Sequence, residues 1–158
     1  LDHLRGSGPP LIVEYGDYEC PYSRAAYREI EHVEQATPLR FVFRHFPLTE
    51  IHPHALAASA AAEAAALQGR FWEMHDRLFH GQKALADPDL LAYAAEVGLD
   101  PDRFRADSGG QAVLARIRRD VESGIASGEV RGTPTLFING EVHRGSYDAA
   151  ALLEAISS

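Results

Sequence analysis

Residues 11–23 read Leu-Ile-Val-Glu-Tyr-Gly-Asp-Tyr-Glu-Cys-Pro-Tyr-Ser, a pattern that predicts a strand running into a helix. The apolar run 11–15 is β-branched at its centre, which is typical of a strand covered on both faces. Pro21 suits the first position of a helix, and apolar residues recur at helical spacing until Pro38. Cys20 therefore lies at the junction, next to the free N–H groups at the start of the helix.

The position of Cys20 favours a reactive cysteine. The thiolate is the reactive form, and a helix N-terminus stabilises an anion. The neighbouring carboxylates of Asp17 and Glu19 oppose an anion there, whereas Arg24 favours one. Cys20 is the single cysteine of the chain, which excludes an intramolecular disulfide and a structural zinc site of the multi-cysteine kind. The alternative interpretation is a buried, inert thiol.

The segments on either side of this junction complete one sheet and a helical insertion. Residues 1–10 are polar and end in Gly-Ser-Gly-Pro-Pro, which predicts irregular chain. Residues 39–46 alternate aromatic and polar side chains, and the helix before them indicates a second strand parallel to the first. Residues from about 53 to 128 then carry about four helical segments.

The last part of the chain predicts a hairpin and a helix. Residues 135–138 and 141–144 flank Asn139-Gly140, a strong signal for a hairpin turn. Apolar residues within 147–156 indicate a final amphipathic helix. We therefore expect a single domain over residues 1–158, of the α/β class, with a mixed central sheet and an inserted helical subdomain.

Composition excludes several classes of protein. Fifteen Lys and Arg residues against 23 Asp and Glu residues give a formal net charge of −8, which repels phosphate backbones and argues against nucleic acid as a partner. No run reaches the roughly 20 apolar residues of a membrane span, so we expect no membrane insertion by this segment. The sequence contains no charged-then-apolar leader, and we expect a cytoplasmic location, or a periplasmic one if a signal lies upstream.

Eight histidines raise the question of a metal site. His52 and His54 flank a proline, and His75 and His80 are five residues apart, so the latter pair does not share a helix face. The sequence therefore predicts no metal site. His45 lies near the end of the second strand and receives no role.

Two segments resemble the DsbA-like disulfide oxidoreductases of thioredoxin fold. Residues 14–23 resemble the active-site segment of that family. Residues 132–140, Gly-Thr-Pro-Thr-Leu-Phe-Ile-Asn-Gly, resemble its cis-proline loop and the following hairpin. The helical insertion lies between the two segments, so the resemblance covers essentially the whole chain and implies a thioredoxin-like fold.

The resemblance also implies roles for individual residues. Cys20 is then the nucleophile, and Glu14 is a buried carboxylate that relays protons. Independently of the resemblance, a carboxylate within a doubly covered strand has its pKa raised by desolvation. The alternative is that Glu14 reaches solvent at the end of its strand. The substrate-binding residues that the resemblance implies are Pro21, Tyr22, Thr133 and Pro134, with a cis bond before Pro134.

The sequence departs from the family pattern at Ser23, where the redox motif has its second cysteine. A mixed disulfide on Cys20 then waits for an external thiol such as glutathione. Two hypotheses stay open: Ser23 is the natural residue of a monothiol protein, or it is a replacement for cysteine. In both cases we expect its hydroxyl, three residues along, to donate a hydrogen bond to the Cys20 thiolate.

These observations predict a thiol–disulfide oxidoreductase that acts through Cys20 on thiols and disulfides of proteins, peptides or glutathione. Ser23 limits it to monothiol chemistry; no bound cofactor is required, and glutathione is the favoured co-substrate. The alternative is a redox-inactive, thioredoxin-like domain that binds peptides or regulates a partner, since such domains also occur fused to membrane transporters. A third hypothesis is an iron–sulfur cluster held together with glutathione. The natural substrate, the direction of the redox reaction and the oligomeric state are left open.

Overall fold

A mixed five-stranded sheet forms the centre of the protein. The computed structural model describes residues 1–158. The strand order is β1-β3-β2-β4-β5. The strands are β1 His3–Gly6, β2 Leu11–Gly16, β3 Arg40–His45, β4 Thr135–Ile138 and β5 Glu141–His143. Only β2 and β3 pair in parallel, and the other three neighbouring pairs are antiparallel. The predicted mixed sheet is confirmed.

Seven helices surround this sheet. They are α1 Pro21–Ala36, α2 Ala55–Ala66, α3 Phe71–His80, α4 Asp87–Glu96, α5 Pro101–Ser108, α6 Gln111–Ser127 and α7 Ala149–Ser157. Helix α1 is the crossover between the two parallel strands, and α2 to α6 lie between β3 and β4 as the expected helical insertion. None of the seven helices combines the length and the apolar composition that crossing a membrane requires.

The prediction of irregular chain over residues 1–10 is wrong for His3–Gly6, which form strand β1. His3–Gly6 pair with β3 as an antiparallel edge strand. The strand reads His-Leu-Arg-Gly, so it has no alternation of apolar and polar residues that would mark it in the sequence. Its one aliphatic side chain, that of Leu4, is exposed. Two hydrogen bonds of 2.9 and 2.8 Å from Arg5 to the carboxylate of Glu34 attach the strand to α1. Backbone pairing and ion pairs, rather than apolar burial, therefore fix β1.

Aromatic packing joins α3 to the sheet directly behind the Cys20 segment. The ring centroid of Tyr18 lies 5.0 Å from that of Phe43 on β3 and 4.9 Å from that of Phe79 on α3. Phe71, Met74 and Phe79 of α3 are buried in this packing, whereas Trp72 is half-buried. The loop between β2 and α1 is thus anchored in the core through Tyr18.

The predicted hairpin brings the distant Thr133-Pro134 segment to the same end of the sheet. Asn139 and Gly140 have φ of 51° and 87°, the positive values that a two-residue hairpin turn requires. Strand β4 pairs with β2 so that Thr135 lies opposite Tyr15. Because the pair is antiparallel, the residues that precede β4 lie beside those that follow β2.

Candidate functional site

Cys20 lies at the start of α1 and contacts the loop that precedes β4. It occupies the N-cap position with Pro21 as the first helical residue. Its sulfur lies 3.6 Å from the carbonyl oxygen of Thr133, to which the S–H group donates. The peptide bond between Thr133 and Pro134 is cis. Only 3% of the surface of Cys20 is exposed, so the thiol is covered on all but a small area.

A buried carboxylate, Asp17, fixes the loop before Cys20. One of its oxygens accepts a hydrogen bond of 2.7 Å from the N–H of Glu19. The other accepts from the N–H of Leu48 at 2.9 Å and lies 2.8 Å from Nδ1 of His52. The N–H of Cys20 donates to the carbonyl oxygen of Asp17 at 3.0 Å. Asp17 therefore holds Cys20 against the rest of the protein.

Ser23 is buried and does not bond to Cys20. Its hydroxyl accepts a hydrogen bond of 3.2 Å from the N–H of Asp17, and no hydrogen bond joins it to the Cys20 sulfur. The expected Ser23–Cys20 bond is therefore not the one that forms. The reason is local: Ser23 is in the first turn of α1 and faces inward, where the loop N–H is a nearer partner. Ser23 contributes to the shape of the site.

Glu14 is buried in β2, with 1% of its surface exposed. Burial raises the pKa of its carboxyl to about 8, and the positive charge of Arg5 opposes the shift in part. Its Oε2 atom has no hydrogen-bond partner. The alternative of a solvent-exposed Glu14 does not hold, and the carboxyl is mostly protonated at neutral pH.

Gly16 provides the space that the Glu14 carboxyl occupies. A Cβ atom at Gly16 would lie 2.7 Å from Oε2 of Glu14 and 2.5 Å from the ring of Phe43. Both distances are well below van der Waals contact. The strand therefore ends with glycine so that a carboxyl and an aromatic ring fit side by side.

Two exposed residues and a basic groove lie at the outer side of the cysteine. Pro21 is exposed, and 68% of the surface of Tyr22 is accessible to solvent. Beside Pro21 runs a groove that we call the basic groove. The residues that line it are Glu19, Pro21, Arg24, Ala25, Arg28, Gln82 and Lys83. Three cations and one carboxylate in this lining favour an anionic ligand.

Sequence reasoning missed two contributors to the site. Tyr147, just before α7, has its pKa raised by burial and then by the negative charge of a Cys20 thiolate. Gln82 donates through its amide nitrogen to the carbonyl oxygens of Tyr18 and Cys20, at 2.9 and 2.8 Å. No local pattern marks either residue, because their partners lie more than 60 residues away in the sequence.

The imidazoles of His52 and His75, two of the histidines considered as metal ligands, have hydrogen-bond partners. His52 bonds to Asp17, and the N–H of His54 donates to the carboxylate of Glu19 at 2.7 Å. His75 is buried, and its Nδ1 lies 2.8 Å from the hydroxyl of Tyr18. Three other side chains, those of His3, His45 and Glu63, group their ligand atoms within 4.8 Å of one another.

Comparison with protein families and curated sequences places this arrangement among known proteins. Residues 6–158 match the family described as thioredoxin (Thioredoxin_4). The chain is 48% identical over 162 residues to a protein of Salinispora arenicola named Na(+)/H(+) antiporter NhaA 1. That match covers 99% of this chain and 24% of the antiporter. The chain thus spans about a quarter of the length of that relative.

Solved structures show the same fold. A thioredoxin-like oxidoreductase from Silicibacter pomeroyi superposes with a TM-score of 0.87 at 29% identity, over 99% of this chain and 90% of that one. The thiol-disulfide exchange protein alpha-DsbA2 from Wolbachia pipientis superposes with a TM-score of 0.85 at 20% identity, over 99% and 86% of the two chains. The second likeness concerns the fold alone. Together they agree with an α/β thioredoxin-like fold that contains a helical insertion.

Proposed function

The chain belongs to the thioredoxin family, and from this membership we propose that it is a DsbA-like thiol–disulfide oxidoreductase with Cys20 as its one reactive thiol. The observation that carries the proposal is the contact between Cys20 and Thr133. It places the cysteine at a helix N-terminus, against the carbonyl that precedes a cis-proline. A thiolate at a helix N-terminus is stabilised by the helix dipole and attacks disulfides.

The proposed reaction is one thiol–disulfide exchange followed by release to an external thiol. The Cys20 thiolate attacks a substrate disulfide R–S–S–R′, forming Cys20–S–S–R while the R′ sulfur leaves with the electron pair of the broken bond. The protonated carboxyl of Glu14 supplies the proton that converts the leaving thiolate into a thiol. Glutathione then returns the proton of its thiol to the Glu14 carboxylate, and the resulting thiolate attacks the R sulfur of the mixed disulfide. This attack forms a glutathione disulfide of R and regenerates the Cys20 thiolate, so oxidation states and protons balance over the cycle.

Thr133 provides the groups that hold an extended substrate. Its N–H makes no hydrogen bond within the protein, and its buried hydroxyl has no partner. A substrate backbone that pairs with this residue adds a short strand beside the cysteine. Such pairing competes with the Cys20–Thr133 contact, so substrate binding also uncovers the sulfur. The exposed side chains of Pro21 and Tyr22 provide the adjoining apolar contact.

The basic groove supports glutathione as the co-substrate. Glutathione carries two carboxylates and one amine, so it is an anion at neutral pH. Arg28 and Lys83 line the groove on the outer side of Pro21 and have no ion-pair partner. Free cations at this place match the carboxylates of a tripeptide whose sulfur is bonded to Cys20.

The experiment for this proposal is a glutathione-disulfide exchange assay on the native protein. The mixed disulfide is quantified by mass spectrometry, and reduced glutathione is then added in excess. We expect one glutathione on Cys20 of the native chain and full release by the external thiol. A Cys20→Ser variant is the control and takes up none.

A second candidate function is a redox-inactive domain that regulates a larger polypeptide. Two observations favour it: Cys20 is 3% exposed, and Ser23 stands where a dithiol enzyme has its second cysteine. The match to a quarter of an Na(+)/H(+) antiporter makes a transporter the proposed partner. This candidate predicts that the native protein takes no glutathione and that the Cys20→Ser variant keeps full binding to its partner.

A further inference from the structure

We propose that His3, His45 and Glu63 form a binding site for a divalent transition metal, with zinc as the best-fitting ion. The Nε2 atoms of the two histidines approach the same carboxylate oxygen of Glu63, at 2.6 and 2.7 Å. All three ligand atoms lie within 4.8 Å of one another. This cluster, which we call the His-Glu-His cluster, shares no residue with the site at Cys20.

Three separate elements supply the cluster. His3 of β1 pairs with Phe43 of β3, and His45 lies two residues beyond Phe43. Residues opposite each other in an antiparallel pair, and residues two apart on one strand, share a face of the sheet. His3 and His45 are therefore diagonal neighbours on one face, and Glu63 reaches them from α2. The separation of 60 residues between His3 and Glu63 explains why local spacing in the sequence does not reveal the cluster.

The donor set is suited to zinc. Two imidazole nitrogens and one carboxylate oxygen are the ligands of zinc sites that keep a fourth position for water or a small anion. Tetrahedral zinc with bonds of about 2.0 to 2.1 Å separates its ligand atoms by about 3.3 Å. Moving the Glu63 oxygen back by about 0.7 Å gives that separation from each nitrogen, and the two nitrogens, which lie within 4.8 Å of each other, need to approach to the same separation. The ion then replaces the hydrogens that now bridge the carboxylate and the imidazoles.

Burial and local charge also favour a cation at Glu63. The Glu63 side chain is 6% exposed, and the imidazoles of His3 and His45 are its hydrogen-bond partners. The only Lys or Arg residue of β1, Arg5, is paired with Glu34 and lies 3.6 Å from Asp76, so its charge is already balanced.

The surroundings are aromatic and restrict solvent. The ring of Phe71 stacks on His3 at 3.7 Å between centroids, and its centroid lies 6.0 Å from that of His45. Two buried polar atoms of this region, Nδ1 of His45 and the hydroxyl of Ser59, have no hydrogen-bond partner. Ser59 is one helical turn before Glu63 on α2. Buried polar atoms without partners are rare in proteins, and an ordered water beside the cluster would supply a partner for them.

The cluster has an entry route and a structural consequence. The His3 side chain is 16% exposed, whereas those of Glu63 and His45 are 6% and 0% exposed. An ion therefore enters past His3 on the edge strand. Once bound, it joins β1, β3 and α2, so removal of the ion loosens β1 first.

The test is a zinc titration of the chelator-treated full chain in competition with a chromophoric chelator, with circular dichroism as the check of folding. We expect one zinc per chain. Glu63→Gln and His3→Gln weaken binding at least about tenfold, the loss that even an outer-shell partner of a metal causes. Two variants are matched controls that keep the wild-type affinity: His32→Gln, with a 63% exposed side chain, and Cys20→Ser, which removes the only thiol.

Two results would overturn the proposal. One is the absence of saturable binding at micromolar zinc in the wild type. The other is binding that His3→Gln leaves unchanged while His32→Gln or Cys20→Ser reduces it, which would identify an adventitious ion. Because His3 lies on a half-buried edge strand, its variant remains informative even if Glu63→Gln does not fold.

Discussion

The sulfur of Cys20 and the carbonyl oxygen of Thr133, 113 residues apart in the sequence, lie 3.6 Å apart in the structure. This contact joins the start of α1 to the loop before β4. The proposed nucleophile and the backbone proposed to pair with a substrate therefore lie in one site. Because the chain has no second thiol, the proposed exchange ends with a mixed disulfide that an external thiol must resolve.

Replacing Ser23 with cysteine should restore dithiol chemistry. The new thiol lies in the first turn of α1, three residues from Cys20, and we expect the two to form a disulfide and to catalyse insulin reduction. Counting free thiols before and after oxidation checks the disulfide. Ala25→Cys is the matched control, because residue 25 is exposed on the same helix, and it should form none. A folded Ser23→Cys protein with two persistent free thiols would contradict the expectation.

Glu14 should make the folded protein less stable as the pH rises. The pKa of its carboxyl is about 8 in the folded protein, against 4.5 for an exposed glutamate, so the folded state favours the protonated carboxyl. The stabilisation that comes from the protonated Glu14 carboxyl is fully present below pH 4.5 and is lost as the pH rises towards the folded-state pKa. Between these two pH values the free energy of unfolding falls by about 1.4 kcal/mol per pH unit.

Urea unfolding at a series of pH values, for the wild type and Glu14→Gln, measures this contribution. The amide does not ionise, so the free energy of unfolding of the variant, relative to that of the wild type, should rise by about 4 kcal/mol between pH 5 and pH 8. Glu122→Gln, on an exposed residue, is the control and should follow the wild-type curve. Parallel curves for wild type and Glu14→Gln would show that Glu14 is ionised in the folded protein.

Gly16→Ala should destabilise the protein through crowding. The added methyl group would lie 2.5 Å from the ring of Phe43 and 2.7 Å from Oε2 of Glu14. We expect a loss of about 1 to 3 kcal/mol, the usual cost of an extra methyl group in a packed core. Thermal unfolding measures it. Gly109→Ala, where an added Cβ meets no atom within 4 Å, is the control, and an equal change in both variants would refute this explanation.

Arg28→Gln should weaken the use of glutathione. We expect the glutathione concentration for half-maximal release of the mixed disulfide to rise about two- to fivefold, since an exposed charge contributes up to about 1 kcal/mol. The effect should shrink in high salt because salt screens exposed charges. Arg118→Gln is also exposed but lies on α6, outside the basic groove, and should change nothing. The steady-state release rate at several glutathione concentrations measures both variants.

Most of the fold follows from local sequence signals. Pro21 at the first helical position and the Asn139-Gly140 turn both act through neighbouring backbone, so the sequence alone predicts them. Local sequence signals do not predict strand β1, because the groups that stabilise it are the backbone of β3 and the carboxylates of Glu34 and Glu63. Those contacts exist only after the chain has folded.

The candidate site likewise has some residues whose positions the sequence predicts and others whose contacts it does not predict. The positions of Cys20 and Glu14 follow from a strand-to-helix pattern. The partner of the Ser23 hydroxyl does not follow from that pattern. The Cys20 sulfur and the N–H of Asp17 compete for the hydroxyl, and only the folded loop shows that the N–H of Asp17 is the partner. The His-Glu-His cluster and Tyr147 depend on tertiary contacts and leave no local pattern.

Exposure of the native, full chain to glutathione disulfide near neutral pH, followed by mass spectrometry, tests the central claim most directly. The account predicts a single glutathione bonded to Cys20 and its complete release by reduced glutathione. If the native protein takes up none while the same protein unfolded in denaturant reacts, Cys20 is an inert buried thiol, and the oxidoreductase assignment is contradicted.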